Sequence, residues 1–212
     1  MTTLYPISLT CPICDNLFTS NEIGSCGYGS KRTDFRPNYW GFNPVRFFYH
    51  LCPNCGFCAP KKMFDAKVEN AELRKKINEM GSLSRNSLSK KLERAMLCLE
   101  AMNELELTKK DEFALANNWI DPYWWAESNE EEKRFGAIVL DYFEKAVGKG
   151  QVPSDRGFAT KYLMAEINRR IGNKETANEM FDEVIALTEN NKDQKFTYKL
   201  AIQQKAKPKE NL

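Results

Sequence analysis

The chain has 212 residues, 42% of them apolar, and its 31 basic and 29 acidic side chains leave a net charge of +2. That is enough apolar material to bury a core, which excludes a disordered chain, and the charge is too balanced to attract a nucleic-acid backbone by itself. No run approaches the roughly 20 apolar residues of a membrane span, and the opening Met-Thr-Thr-Leu-Tyr-Pro lacks the basic start and apolar stretch of a signal peptide, so the reading places the chain in the cytoplasm.

Composition divides the chain near residue 64. Residues 1–64 hold six of the seven cysteines and short β-compatible stretches such as Arg46–Leu51, and read as a small, irregular, β-containing zinc-knuckle module. Thiols stay reduced in the cytoplasm, so these cysteines point to metal before disulfides. The motifs are Cys11-Pro12-Ile13-Cys14 and Cys52-Pro53-Asn54-Cys55-Gly56. Each Cys-Pro-x-Cys turn puts two thiolates on one side of a knuckle, and two facing knuckles complete a tetrahedron with sulfur about 2.3 Å from zinc. Gly56 suits the positive φ needed after the second cysteine. Zinc on Cys11, Cys14, Cys52 and Cys55 is therefore the expected cofactor, with iron in a rubredoxin-like site as the alternative. Cys58 and Cys26 are either substitute ligands or small residues packed under the knuckles. His50, two residues before Cys52, is a candidate donor to a coordinated thiolate or a half-buried histidine. With six basic and three acidic residues, the module carries a formal excess of three positive charges, which the −2 of a zinc tetrathiolate lowers to one. Electrostatics make it a weak nucleic-acid binder at most.

Residues 65–205 carry helical periodicity. A helix from an Asp65 N-cap to Met80, ended by Gly81, buries Val68, Leu73, Ile77 and Met80. Leu88, Leu92, Ala95, Met96, Leu99, Met102 and Leu105 keep the three-and-four spacing of a second helix, with Cys98 on its flank as core. A third covers about 111–120 and breaks at Asp121-Pro122. Ser128 and Glu131 form a capping box for a helix that buries Phe135, Ile138, Val139, Tyr142, Phe143 and Ala146 and closes at Gly148 and Gly150. Helices over about 155–171 and 174–188 flank the turn Gly172-Asn173, and a last one runs from Asp193 toward Gln204. Residues 206–212 read as a flexible tail. Trp119, Tyr123, Trp124 and Trp125 fill core or form a recognition platform.

Between the knuckles runs Lys31-Arg32-Thr33-Asp34-Phe35-Arg36-Pro37-Asn38-Tyr39-Trp40-Gly41-Phe42-Asn43-Pro44. Its Arg-x-Asp-Phe and Tyr-x-Gly-x-Asn-Pro elements, set between Cys-Pro-x-Cys and Cys-Pro-x-Cys-Gly-Phe, resemble the prokaryotic family classed as domain of unknown function 2225. The resemblance implies a zinc-ribbon-like head and a helical, tetratricopeptide-like body, and carries no activity with it. Arg32, Asp34, Tyr39 and Asn43 either lock the loop or line a ligand pocket. Independently, Gly172, Ala177 and Phe181 fall where a tetratricopeptide repeat needs a tight turn, a small crossing residue and a core aromatic, whereas Lys161 and Asn168 depart from that consensus. The expected fold is mainly α: a zinc-ribbon-like module followed by an antiparallel helical body.

Four cysteines close a metal shell, one histidine is present, and neither a phosphate-binding glycine loop nor a nucleophile beside a base is in view. The reading is a non-enzymatic scaffold whose helical body binds a protein or peptide partner or a second copy. A metal-dependent redox protein or a weakly nucleic-acid-binding zinc ribbon is the alternative. On the repeat analogy, Tyr162, Glu166, Arg169 and Arg170 face a groove and grip an acidic peptide. The other reading of that face is a solvated helix surface with a Glu166–Arg170 pair.

Overall fold

The computed structural model describes residues 2–81, Leu83 and residues 87–212. It is mainly helical, with a small β-containing N-terminal region. The chain divides into two compact units, residues 1–29 with 39–110 and residues 30–38 with 111–212. The composition boundary near residue 64 therefore lies inside the first unit. No helix among the described residues is long and apolar enough to cross a membrane.

In the first unit, β1 (Thr3–Thr10) and β2 (Leu17–Ser25) form an antiparallel hairpin, as do the short β5 (His50–Leu51) and β6 (Cys58–Ala59). Each hairpin is closed by one of the Cys-Pro-x-Cys turns. Between them in the chain, β3 (Tyr28–Lys31) pairs with β4 (Pro37–Tyr39), of which residues 30, 31, 37 and 38 belong to the second unit, and Pro44–Phe47 is a 3-10 helix. Of the stretch 46–51, only His50 and Leu51 are strand. Pro44 starts the 3-10 turn, and the Asn43 side chain caps it by accepting from the Val45 amide at 3.0 Å.

Helix α1 (Ala71–Glu79) begins later than Asp65. The Asn70 side chain, not Asp65, takes the N-cap role by accepting from the Leu73 amide at 2.8 Å. Asp65 instead ends a 3-10 turn over Lys61–Phe64. The Val68 amide donates to the Pro12 carbonyl at 3.0 Å, tying the link between the 3-10 turn and α1 to the first knuckle. Helix α2 (Leu88–Glu104) follows the expected span, capped by Ser87. Leu73 and Ile77 of α1 and Cys98, Ala101 and Met102 of α2 share one core with Cys11, Ile13, Cys52, Phe57 and Phe64 of the knuckles.

The second unit contains α3 (Glu112–Trp124), α4 (Asn129–Gly148), α5 (Gly157–Ile171), α6 (Lys174–Thr188) and α7 (Lys195–Ala206). Helix α3 runs through Pro122 instead of stopping at it. The proline lies within the last turn, so only the bond to the Asn118 carbonyl is lost, and burial of Trp119, Ile120, Pro122 and Tyr123 favours continuing the helix. Trp119 stacks obliquely on Phe135 of α4 with ring centroids 6.0 Å apart, and Trp119 and Tyr123 fill core while Trp124 and Trp125 are half-buried. Ser128 caps α4 by accepting from the Glu131 amide at 3.1 Å, and the Glu131 carboxylate reaches back to the Glu127 amide, one residue before the cap.

Helices α5 and α6 form a hairpin across Gly172, whose φ of 101° gives the left-handed C-cap. Ala177 and Phe181 lie fully inside with Tyr162, Ala165, Val184, Leu200 and Ala201. Asn168, polar where the repeat consensus is apolar, stays buried by donating to the Met164 carbonyl at 3.0 Å and accepting from Asn173 at 3.0 Å. Lys161 meets Glu183 at 2.8 Å.

Phe181 and Leu187 offer a contrast on one helix, since Phe181 is buried and Leu187 is 51% exposed. Phe181→Ala should cost about 3–5 kcal/mol in urea unfolding followed by helical circular dichroism. Leu187→Ala should stay within about 0.5 kcal/mol of the parent.

Candidate metal centre

The two Cys-Pro-x-Cys turns have the same local geometry. In the first, the Asp15 amide donates to the Cys11 carbonyl at 3.0 Å and the Cys11 amide to the Asn16 carbonyl at 2.9 Å. In the second, Gly56 donates to Cys52 at 3.1 Å and Cys52 to Phe57 at 2.8 Å. The residue after each second cysteine is left-handed, with φ 57° at Asp15 and 79° at Gly56. Gly56 has a second reason to be glycine, because a Cβ there would come within 2.6 Å of the Arg94 guanidinium.

The sulfur atoms of Cys11, Cys14, Cys52 and Cys55 all lie within 4.8 Å of one another and can hold a metal ion. Across the two knuckles, Cys11 Sγ is 3.6 Å from Cys55 Sγ and Cys14 Sγ is 3.7 Å from Cys52 Sγ. A tetrahedral centre with metal–sulfur bonds of about 2.3 Å requires sulfurs about 3.8 Å apart, so the donor set fits. Cys11 and Cys52 are buried, while Cys14 and Cys55 are partly open to solvent. Without a metal charge the thiols differ. The hydrogen bond with Cys55, and then burial, push the Cys11 thiol up, and burial raises Cys52. Burial also opposes ionisation of Cys14, but hydrogen bonds from the Asn54 side chain and the Asn16 backbone outweigh it and bring that thiol down to about 7.

The remaining sulfur and imidazole candidates lie elsewhere. Cys58 is fully buried against α2, its Sγ 3.6 Å from the Lys91 carbonyl, and Cys26 is exposed, so neither joins the group of four. His50 is buried with Nδ1 2.8 Å from Ser20 Oγ and its ring edge-on to Phe64. That nitrogen faces Ser20 and not a sulfur, because β5 ends at Leu51 and its alternation does not carry through to Cys52. Burial first, and then Lys91, pull the imidazole down to about 4 and keep it neutral.

Two arginines that the sequence reading passed over support the knuckles. Arg74 of α1 donates to the Ile13 carbonyl of the first. Arg94 of α2, 4% exposed, donates to the Gly56 carbonyl of the second at 3.3 Å and to the α1 C-terminal carbonyls of Met80 and Gly81 at 2.8 and 3.0 Å. A cation on the final carbonyls of a helix satisfies groups that have no partner within the helix. The available signal was an arginine amid Leu92, Ala95, Met96 and Cys98, a stretch too apolar for a solvated side chain.

The family model described as an uncharacterized protein conserved in bacteria (DUF2225) matches residues 4–208. The chain belongs to this family. No curated protein and no solved structure matches it significantly.

In this DUF2225 chain the second unit holds the other predicted residues. Tyr162 and Glu166 are fully buried, and Arg170 has a side-chain exposure of 6%, which corrects the expectation of an open groove. Segments distant in sequence cover them. The Tyr162 hydroxyl donates to the Thr33 carbonyl at 2.9 Å, and the ring packs on Phe35 with centroids 5.5 Å apart. The Glu166 carboxylate accepts from Arg169 (2.7 and 2.8 Å), Arg170 (2.8 Å), Thr33 (2.7 Å) and Gln204 (3.1 Å). Arg32 and Asp34 form a two-pronged pair, 2.8 Å for the first prong, and the Trp124 indole donates to the Asp34 carbonyl at 3.2 Å. Arg32 and Asp34 thus lock the loop.

Arg94→Met should remove three buried hydrogen bonds and lower the stability of the first unit by about 2–4 kcal/mol. Amide exchange at Gly56 and Phe57 should accelerate accordingly. Unchanged exchange at these amides would show that Arg94 does not hold the knuckle.

Proposed function

We propose that the chain is a non-enzymatic interaction protein, with its first unit stapled by one zinc ion on Cys11, Cys14, Cys52 and Cys55. The observation that carries this reading is the all-sulfur donor group, in which no histidine or carboxylate takes part among the described residues. A catalytic zinc keeps a position open for water or substrate, whereas four thiolates fill a tetrahedral shell and leave a structural ion. Placing the sulfurs in the same core as α1 and α2 supports that role, since losing the ion would unmake the packing of those helices. A thiolate set of this kind belongs in a reducing compartment, in keeping with the cytoplasm.

The helical unit is the element offered to a partner. Leu187 on α6 and Phe196 and Ile202 on α7 are exposed apolar side chains, at 51%, 60% and 39%, and such residues contribute more to protein contacts than to binding nucleic acid. The net charge of +2 favours a protein or peptide partner in the same way.

Elemental analysis of protein purified without chelator should give one zinc per chain. Iron on the same sulfurs would instead give a red protein with rubredoxin-like redox chemistry. Removing the metal should unfold the first unit, because structural zinc contributes on the order of 10–16 kcal/mol. Less than half an equivalent of metal, or unaltered amide exchange in the first unit of a Cys11→Ser/Cys52→Ser chain, would refute the staple. Affinity capture from the native cell, read by mass spectrometry, should enrich a protein partner, and duplex DNA or RNA should bind more weakly than about 1 μM at physiological salt. Tight nucleic-acid binding with no protein enriched would reverse the reading.

A further inference from the structure

The second unit contains a built polar site whose present occupant is the chain's own C-terminal segment. Residues 209–212, read from the sequence as part of a flexible tail, instead lie along Lys31–Thr33 and pair with it through a single antiparallel β-bridge and flanking backbone bonds. Thr33 donates its amide to the Glu210 carbonyl at 2.9 Å, Leu212 donates to the Lys31 carbonyl at 2.9 Å, and Arg32 opposes Asn211 in an antiparallel bridge. The Gln204 side chain reads the backbone at Lys209 in both directions, accepting from its amide at 2.8 Å and donating to its carbonyl at 3.0 Å. Arg170 grips the Glu210 carboxylate at 3.1 Å.

The two sides of this contact are unequal. Thr33 and Gln204 are buried, the Arg170 side chain is 6% exposed, and all three are fixed by α5, α7 and the Glu166 carboxylate. Residues 207–212 are all exposed, and no apolar side chain among them is buried. The segment is held by bonds to its backbone, by the Glu210 carboxylate and by the Asn211 side-chain oxygen, which accepts from Asn38 at 3.0 Å. Strand addition with a charged anchor is a general way to recognise an extended peptide, with main-chain bonds supplying affinity and side-chain contacts supplying specificity. The charges specify the anchor: the single Glu166 carboxylate faces both Arg169 and Arg170, Asp34 lies 3.9 Å from Arg170 but is engaged by Arg32, and the outer nitrogen of Arg170 takes the Glu210 carboxylate.

We propose that the edge Lys31–Thr33, with Arg170 and Gln204, is a peptide-binding site for an extended segment bearing an acidic side chain, and that residues 209–212 are a displaceable self-ligand occupying it. This rests on the reading of the protein as an interaction module and names the chemistry of one partner.

The test uses the full chain. Glu210→Lys sets a cation against Arg170 and releases the segment. A fluorescein-labelled hexapeptide with the sequence of residues 207–212 should then bind the Glu210→Lys chain about tenfold or more tightly than the intact chain, where the tethered copy competes at high effective concentration. The same peptide with lysine in place of its glutamate should lose that binding. In the intact chain, the Thr33 and Leu212 amides should exchange about a hundredfold faster than those in the middle of α5. Equal anisotropy for the two chains, indifference to the glutamate, or protection at Thr33 and Leu212 matching that of α5 would overturn the proposal. So would failure of the Glu210→Lys chain to fold, since a displaceable segment is not required for folding. Those results would remove this site alone, whereas the wider interaction reading fails on the metal and capture experiments.

Discussion

Four cysteine sulfurs within 4.8 Å of one another form an arrangement that apolar packing alone would not produce. As thiolates they repel, and as thiols in a buried setting they are poor hydrogen-bonding partners, and a cation held among them would compensate their convergence. The rest of the first unit is ordered around this group. Both knuckles turn left-handed after the second cysteine, both close a hairpin, and α1 and α2 send an arginine each to a knuckle carbonyl. The apolar core is then continuous with the sulfurs, which is why α1 and α2 belong to the same unit as the cysteines despite their different composition.

The second unit is governed by a different constraint, the burial of charge. Glu166 has no solvent contact, and such a carboxylate is tolerable only when its lone pairs are occupied. Arg169, Arg170, Thr33 and Gln204 occupy them, and they come from three separated stretches of chain. Removing one member of a buried ionic group costs about 3–5 kcal/mol, so this network fixes the approach of α5, α7 and residues 30–38 more sharply than apolar contact would. Phe35 shows the same compulsion. Its φ of 70° is unfavourable for a bulky residue, and it is held there by a turn closed by the Arg32 amide on the Arg36 carbonyl and by its ring against Tyr162.

What was legible in the sequence was local. A Cys-Pro-x-Cys turn is specified by its own few residues, and Gly56, Gly172 and Ser128 mark their turns by chemistry that does not wait for tertiary structure. Helices α2, α4 and α6 follow the apolar period because one side of each faces a core. The errors fall where a remote partner decides. Residues 65–70 form a non-helical link whose Val68 amide bonds to the first knuckle, and Asn70 starts the helix in place of Asp65. Pro122 does not end α3 because the burial of its neighbours outweighs one lost bond. Tyr162, Glu166 and Arg170 have the spacing of a solvated helix face, and only the docking of residues 31–36 and of Gln204 turns it inward. No pattern within α5 carries that information.

The same division of the chain bears on the order in which the protein is made. Residues 30–38 are part of the second unit, yet they are flanked on both sides by sequence of the first. Thr33 leaves the ribosome 129 residues ahead of Tyr162, its partner on α5. At typical synthesis rates that is a delay on the order of ten seconds, during which the first unit can complete itself while the 30–38 loop has nothing to dock on. A nascent chain of this protein therefore carries Phe35 and the Arg32–Asp34 pair in waiting. A gene fragment beginning at residue 111 would encode all five helices of the second unit without the loop that satisfies their buried hydroxyl and carboxylate.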